Sequence, residues 1–133
     1  MTFHKITIHT KKPSDFYEIT AEIQQVVTST GVKDGVCYVF VPHTTAAITI
    51  NEHADPDVVH DIVMCLENQI PACPNYRHAE GNSPGHIKSS LTGSSQFVFV
   101  EGGKLALGTW QGIFFCEFDG PRTRSVWIKV LPE

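Results

Sequence analysis

The chain has 133 residues, a formal net charge of −4 and 18% charged residues against 41% hydrophobic ones. That is enough apolar material for one packed domain over 1–133, and the balance, with no basic stripe, argues against a nucleic-acid partner. The apolar runs are too short to cross a bilayer and the N-terminus alternates instead of offering an apolar leader, so no membrane partner and a cytoplasmic location are expected.

Residues Phe3 to Thr10 alternate, Ile6 and Ile8 opposite Lys5, Thr7 and His9, at the period of a half-buried strand. The next segment, "SDFYEITAEIQQVVTSTG", repeats Phe16, Ile19, Ile23, Val26 and Val27 at helical spacing, with Ser14 or Asp15 as the cap and Gly31 as the stop. "GVCYVFVP" and "AAITI" read as strands separated by "HTT". Asp55 before Pro56 starts a second helix whose buried stripe is Val59, Ile62, Val63, Leu66 and Ile70, and Pro71 ends it.

"SPGHIKSSLTG" predicts a short third helix, capped by Ser83 and closed by Gly93, with Ile87 and Leu91 facing inward and His86, Ser89 and Ser90 outward. The final third reads as a β meander through "QFVFVEGGKLALGTW", "GIFFCEF" and "SVWIKVL". The expected class is α+β: one compact domain with a largely antiparallel β-sheet, two main helices and a short third. Cys37, Cys65, Cys73 and Cys116 form no C-x-x-C pair and read as reduced structural thiols.

Polar chemistry interrupts the apolar pattern at "PHTTA", "NEHADPD", "RHAEGNSPGHIKSS" and "GTWQG". His43 and the pair Asn51-Glu52 stand at strand ends, where side chains project from a rigid scaffold. Free amides around Gly85 and His86 would face an anion at the third helix's start, with Lys88 and Arg77 adding positive charge. His43, His78 and His86 are candidate ligands of a metal ion, zinc or magnesium, whereas a divalent ion accompanying a bound diphosphate would be held partly by Glu52 or Asp61. His53 and His60 are expected to be peripheral. Neither an H-E-x-x-H nor a G-x-S-x-G motif is present.

Taken in order, "HTTAAITINEHADPDV", "YRHAEGN", "GHIKSSLTG" and "GKLALGTWQGIFFCEFDGPRTR" closely resemble the YjbQ family, also known as uncharacterised protein family 0047. The resemblance implies an α+β homotrimer with a weak, secondary thiamine-phosphate synthase activity. In that reaction a thiazole phosphate displaces pyrophosphate from a hydroxymethylpyrimidine diphosphate. It maps site roles onto His43, Thr44, Asn51, Glu52, Asp55, His78, His86, Lys88, Ser89, Trp110 and Gln111. We take His43, Glu52, His78, His86 and Lys88 as the catalytic candidates and Thr44, Asn51, Gly85, Ser89 and Gln111 as contacts to a small phosphorylated substrate. Two other readings use the same pocket: a metal-dependent hydrolase built on the histidines, and a non-catalytic ligand-binding trimer.

Overall fold

The structure is a computed structural model in which residues 3–133 are described. The strands are β1 (His4–His9), β2 (Asp15–Glu18), β3 (Gly35–Phe40), β4 (Ala46–Glu52), β5 (Ser95–Glu101), β6 (Lys104–Leu105), β7 (Gln111–Glu117) and β8 (Thr123–Pro132). The helices are α1 (Thr20–Thr30), α2 (Pro56–Gln69) and α3 (Ser83–Thr92). Five strands form one sheet in the order β1-β8-β3-β5-β6, and three form another in the order β2-β7-β4. Every pairing is antiparallel. This is the expected α+β domain, and among the described residues no helix is long and apolar enough to cross a membrane.

β7 explains why the sheet divides. Its side chains alternate between two apolar clusters: Ile113 and Phe115 join the main core with Ile23, Val27, Val39, Ile48 and Val126, while Phe114 and Cys116 join Phe16, Ala47 and Phe118 beneath α2. A strand covered on both faces reads as an unbroken apolar run, which is what "GIFFC" is. The predicted meander therefore breaks at this strand. β5 and β6 pair through the Gly102-Gly103 turn, β7 crosses to the smaller sheet, and β8 returns between β1 and β3.

The first helix is shorter than its periodicity suggests. Residues 15–18 pair with β7, and Phe16 packs in the second cluster instead of on the helix. Asp15 accepts from the Phe16 N–H and Ser14 donates to Glu67, so neither caps α1. From Ile19 onward the reading holds: Ile19, Ile23 and Val27 are buried, and Gly31 closes the helix at φ +72°. α2 starts as expected, with the Asp55 carboxylate accepting from the Asp57 N–H ahead of a proline in the first turn. Its Val59, Ile62, Val63 and Leu66 cover the second cluster. Cys37 and Cys116 lie free and buried in the core, and burial pushes the Cys37 thiol up to about 11 and Cys116 higher still.

α3 presents an unexpected face. Its buried residues are Gly85, Lys88 and Ser89, whereas Leu91 is 70% exposed. Polar pairing overrides the Ile87/Leu91 spacing: Ser89 Oγ donates to the Ala46 carbonyl at 2.8 Å, and Lys88 Nζ pairs with Glu67 of α2. Gly85 permits the approach, since a Cβ there would stand 2.9 Å from the Phe118 carbonyl oxygen.

The two sheets are tied by a buried polar knot. Arg124 of β8 donates to both carboxylate oxygens of Glu117 on β7, to the Thr45 hydroxyl at 2.9 Å and to the Thr45 carbonyl. Thr10 completes it, its hydroxyl 2.7 Å from Glu117 Oε1. Burial alone would raise the Glu117 pKa. Bonds from Arg124, Thr10 and the Asp119 N–H outweigh it and leave the carboxyl below its usual range. A depressed carboxylate contributes stability above its unfolded pKa and loses it as pH falls, so this knot weakens in acid, below about pH 4. Arg124→Ala should cost about 3–5 kcal/mol in urea denaturation at neutral pH, because it strands a buried charge. A loss below about 1 kcal/mol, the range of an exposed ion pair, would show that the knot is not needed to join the sheets.

Candidate functional site

A polar cleft of about 390 Å³ opens where the knot reaches the surface. Segment 42–45 between β3 and β4 supplies His43, Thr44 and Thr45. The approach to α3 supplies His78, Glu80 and Asn82, and α3 itself supplies His86. Asp119 and Arg122 come from the β7–β8 turn, and Arg124 forms part of the inner wall.

His43 is held by β8. Its Nε2 accepts the Ser125 backbone N–H at 2.9 Å, so the ring is the neutral Nδ1–H tautomer and Nδ1 keeps a donor. Burial, and next the nearby Arg124 charge, lower its pKa, with Glu117 opposing. His78 and His86 stand edge to face with ring centroids 5.4 Å apart, and His78 Nε2 is 4.0 Å from Glu80 Oε1.

Asp119 organises the opposite wall. Its Oδ2 accepts from Asn82 Nδ2 at 2.8 Å and from Arg122 Nη2 at 2.9 Å, while Arg122 Nε donates to the Asp119 carbonyl. The bond to a carboxylate fixes the Asn82 amide orientation, which leaves Asn82 Oδ1 buried without a protein donor. About half exposed, Arg122 faces the cleft with donors beyond those given to Asp119. The cleft can thus donate to an anion and exchange protons through two imidazoles.

The residues expected to form one site divide among several places. His43, Thr44, His78 and His86 share this cleft. Glu52 lines a different cleft with His53 and His60, at the far end of β4. The seven residues of β4, at about 3.4 Å each, put roughly 20 Å between Glu52 and the His43 end of that strand. Asn51 Oδ1 accepts from the Glu52 N–H, Gln111 Oε1 accepts from the Gly108 N–H at 2.8 Å, and Trp110 is 63% exposed; these residues shape the 108–112 turn and strand end, away from the histidines. Asp61 pairs with its neighbour His60 on α2. Arg77 lines a shallow groove on the outer side of His78 and His86.

Three assignments need correction. Lys88 is 3% exposed, paired with Glu67 and set over the Phe118 ring, so its ammonium faces α2 and not an anion in the cleft. Ser89 is buried on the Ala46 carbonyl. The Gly85 and His86 amides both donate to the Asn82 carbonyl, at 3.0 and 3.3 Å, and Gly85 faces Phe118, so neither is a free anion donor. Among the described residues no three His, Cys, Asp or Glu side chains are arranged to hold a metal ion. His43 Nε2 is taken up by the Ser125 N–H, which leaves Nδ1 as its remaining ring nitrogen.

Asp119 and Arg122 of "DGPRT" are not among the residues that the sequence singles out as candidates. They flank glycine and proline directly after a doubly buried strand. That position is the signal that would have marked them, since such a turn must project its charges at the sheet's edge.

The fold and cleft define an α+β protein of two antiparallel sheets with a histidine-lined site at their junction. The chain belongs to the family described as UPF0047 protein YjbQ-like, which it matches over residues 4–133. It is 52% identical to a UPF0047 protein of Methanocaldococcus jannaschii, covering 96% of this chain and 92% of that one, and 49% identical to the UPF0047 protein YugU of Bacillus subtilis, covering 95% and 96%. A crystal structure of an uncharacterised conserved YjbQ/UPF0047 protein from Clostridium acetobutylicum superposes with a TM-score of 0.94 at 52% identity, covering 96% and 99% of the two chains. A YbjQ-like protein of unknown function from Sulfolobus solfataricus gives 0.93 at 34% identity, covering 98% and 96%.

Lys88 supplies a prediction that separates support from catalysis. Lys88→Ala removes a packed stem and the ammonium that lowers the Glu67 pKa, so a thermal melt should report a loss of about 1–3 kcal/mol. An unchanged melt would return this lysine to the catalytic candidates.

Proposed function

We propose that the His43/His78/His86 cleft binds a small phosphorylated substrate and assists group transfer at the carbon bearing its phosphate. The specific reaction we assign is the one the family resemblance implies, thiamine-phosphate synthesis of the weak, secondary kind. A thiazole nitrogen attacks the methylene carbon of a hydroxymethylpyrimidine diphosphate. The C–O bond breaks, its electron pair leaves with the diphosphate, and atoms balance as thiamine phosphate and pyrophosphate.

One observation carries this reading: a guanidinium and three imidazoles from four chain segments meet in a single polar cleft. Charge builds on the departing diphosphate, where Arg122 and the His43 Nδ1–H donate to its oxygens and His86 or His78 supplies a proton. A pocket of this volume suits a small ligand.

The test is a discontinuous assay for thiamine phosphate from the two precursors with magnesium present. His86→Ala and Arg122→Ala should each lower turnover by about 10²-fold or more. Product formation no faster than without protein, or variants as active as the parent, would overturn the assignment. Pyrophosphate released without the thiazole phosphate would convert it to a hydrolase.

We further propose that the chain assembles as a homotrimer through the outer face of the larger sheet. Tyr38 and Phe40 of β3, Phe97 and Phe99 of β5 and Leu131 of β8 are exposed there and adjacent in register. Clustered aromatic residues are what an interface core contains and a free surface lacks. Phe99→Lys should shift the light-scattering mass from trimer toward monomer. A trimer mass retained by that variant would exclude this face.

A further inference from the structure

The second cleft, of about 570 Å³, lies between α2 and the smaller sheet and is not used by the proposed reaction. Its floor is apolar, formed by Phe16, Phe114, Val59, Val63 and Met64. Its rim is acidic, with Asp15, Glu18, Glu52 and Asp55, while its one lysine, Lys12, lies 3.9 Å from Asp15.

Within it Glu18 and His53 form a supported pair. His53 Nδ1 is 2.8 Å from Glu18 Oε2, and the Thr20 hydroxyl donates to the same oxygen at 2.8 Å. Thr20 Oγ1 is itself fixed by the Ile113 N–H, and the His53 N–H donates to the Trp110 carbonyl at 2.9 Å. Gly112 makes room: a Cβ there would lie 2.7 Å from both Glu18 Oε2 and the His53 Cβ. Its φ is not positive, so close approach, not turn geometry, requires glycine at the end of "GTWQG".

Both donors fall on Oε2. Among the described residues none donates to Glu18 Oε1, and Glu52 accepts only from the Asp55 N–H, through its Oε2. Acceptor capacity therefore faces a cleft whose floor is apolar and whose rim is negative. An anionic ligand would meet four carboxylates, whereas an ammonium would be attracted to them.

We propose that this cleft binds a small amphipathic amine, its ammonium on the Glu18 carboxylate and its apolar body against Phe16, Phe114 and Met64. The probe is 2-phenylethylamine, with 3-phenylpropionate as a shape-matched anion, each titrated at constant ionic strength into protein with labelled methyl groups. The amine should move the Val59, Val63 and Met64 methyl signals and the acid should not. Glu18→Gln should weaken amine binding at least about tenfold, since it removes a charge-assisted hydrogen bond. Met64→Lys puts a cation into the cleft from a residue 49% exposed, and should abolish the response with the melting temperature unchanged. Equal response to both probes, response to neither, or full affinity in Met64→Lys would overturn the proposal. None of these readouts depends on turnover in the histidine cleft, so the two sites fail or stand separately.

Discussion

The Glu117–Arg124 pair is the constraint on which the arrangement depends. It bridges the last residue of β7 and the second residue of β8, which belong to different sheets, and it takes in Thr10 after β1 and Thr45 before β4. Four chain segments are thereby fixed at one point. A buried pair of this kind gives modest net stability against an apolar substitute, but breaking it leaves a charge without a partner. Its effect is geometric: it sets how the two sheets meet, and the histidine cleft opens at that junction.

The knot also reaches the cleft electrostatically. Arg124 lies in its wall, and after burial its charge is the next cause lowering the His43 pKa. The adjacent Ser125 N–H occupies His43 Nε2. Consecutive residues of β8 therefore act on one imidazole, Arg124 by adding to the effect of burial on its pKa and Ser125 by setting its tautomer. His78 and His86 receive no such bond from β8 and keep ring nitrogens available for proton exchange.

Much of this fold was legible because its signals are local. The Asp55-Pro56 start, the Gly31 stop and the alternation of β1 each depend on a few neighbouring residues, and each appears where expected. Periodicity misled where long-range polar pairing decided the outcome. Ile87 and Leu91 have the spacing of a buried stripe, yet Lys88 and Ser89 turn α3 the other way because Glu67 and the Ala46 carbonyl lie beneath it. Three histidines of the cleft could be read as reactive interruptions in apolar sequence. Glu52 could not be separated from them, since strand length, not residue type, puts it at the opposite end of β4.

The polar burial of α3 also accounts for part of the polar chemistry in "RHAEGNSPGHIKSS". Gly85 against Phe118, Lys88 against Glu67 and Ser89 against Ala46 anchor the side of the helix next to His86. Asn82 anchors its start to Asp119 in the β7–β8 turn. With those contacts in place, His86 has little freedom to move except about its own side-chain torsions, and His78 packs edge-on against it. A shorter apolar anchor would leave the helix free to slide along the sheet, because apolar contacts are non-directional. Hydrogen bonds and an ion pair fix register as well as contact, and register decides whether an imidazole meets a substrate within proton-transfer distance. The buried lysine and serine thus serve the cleft from outside it, by holding the histidine that the substrate would meet.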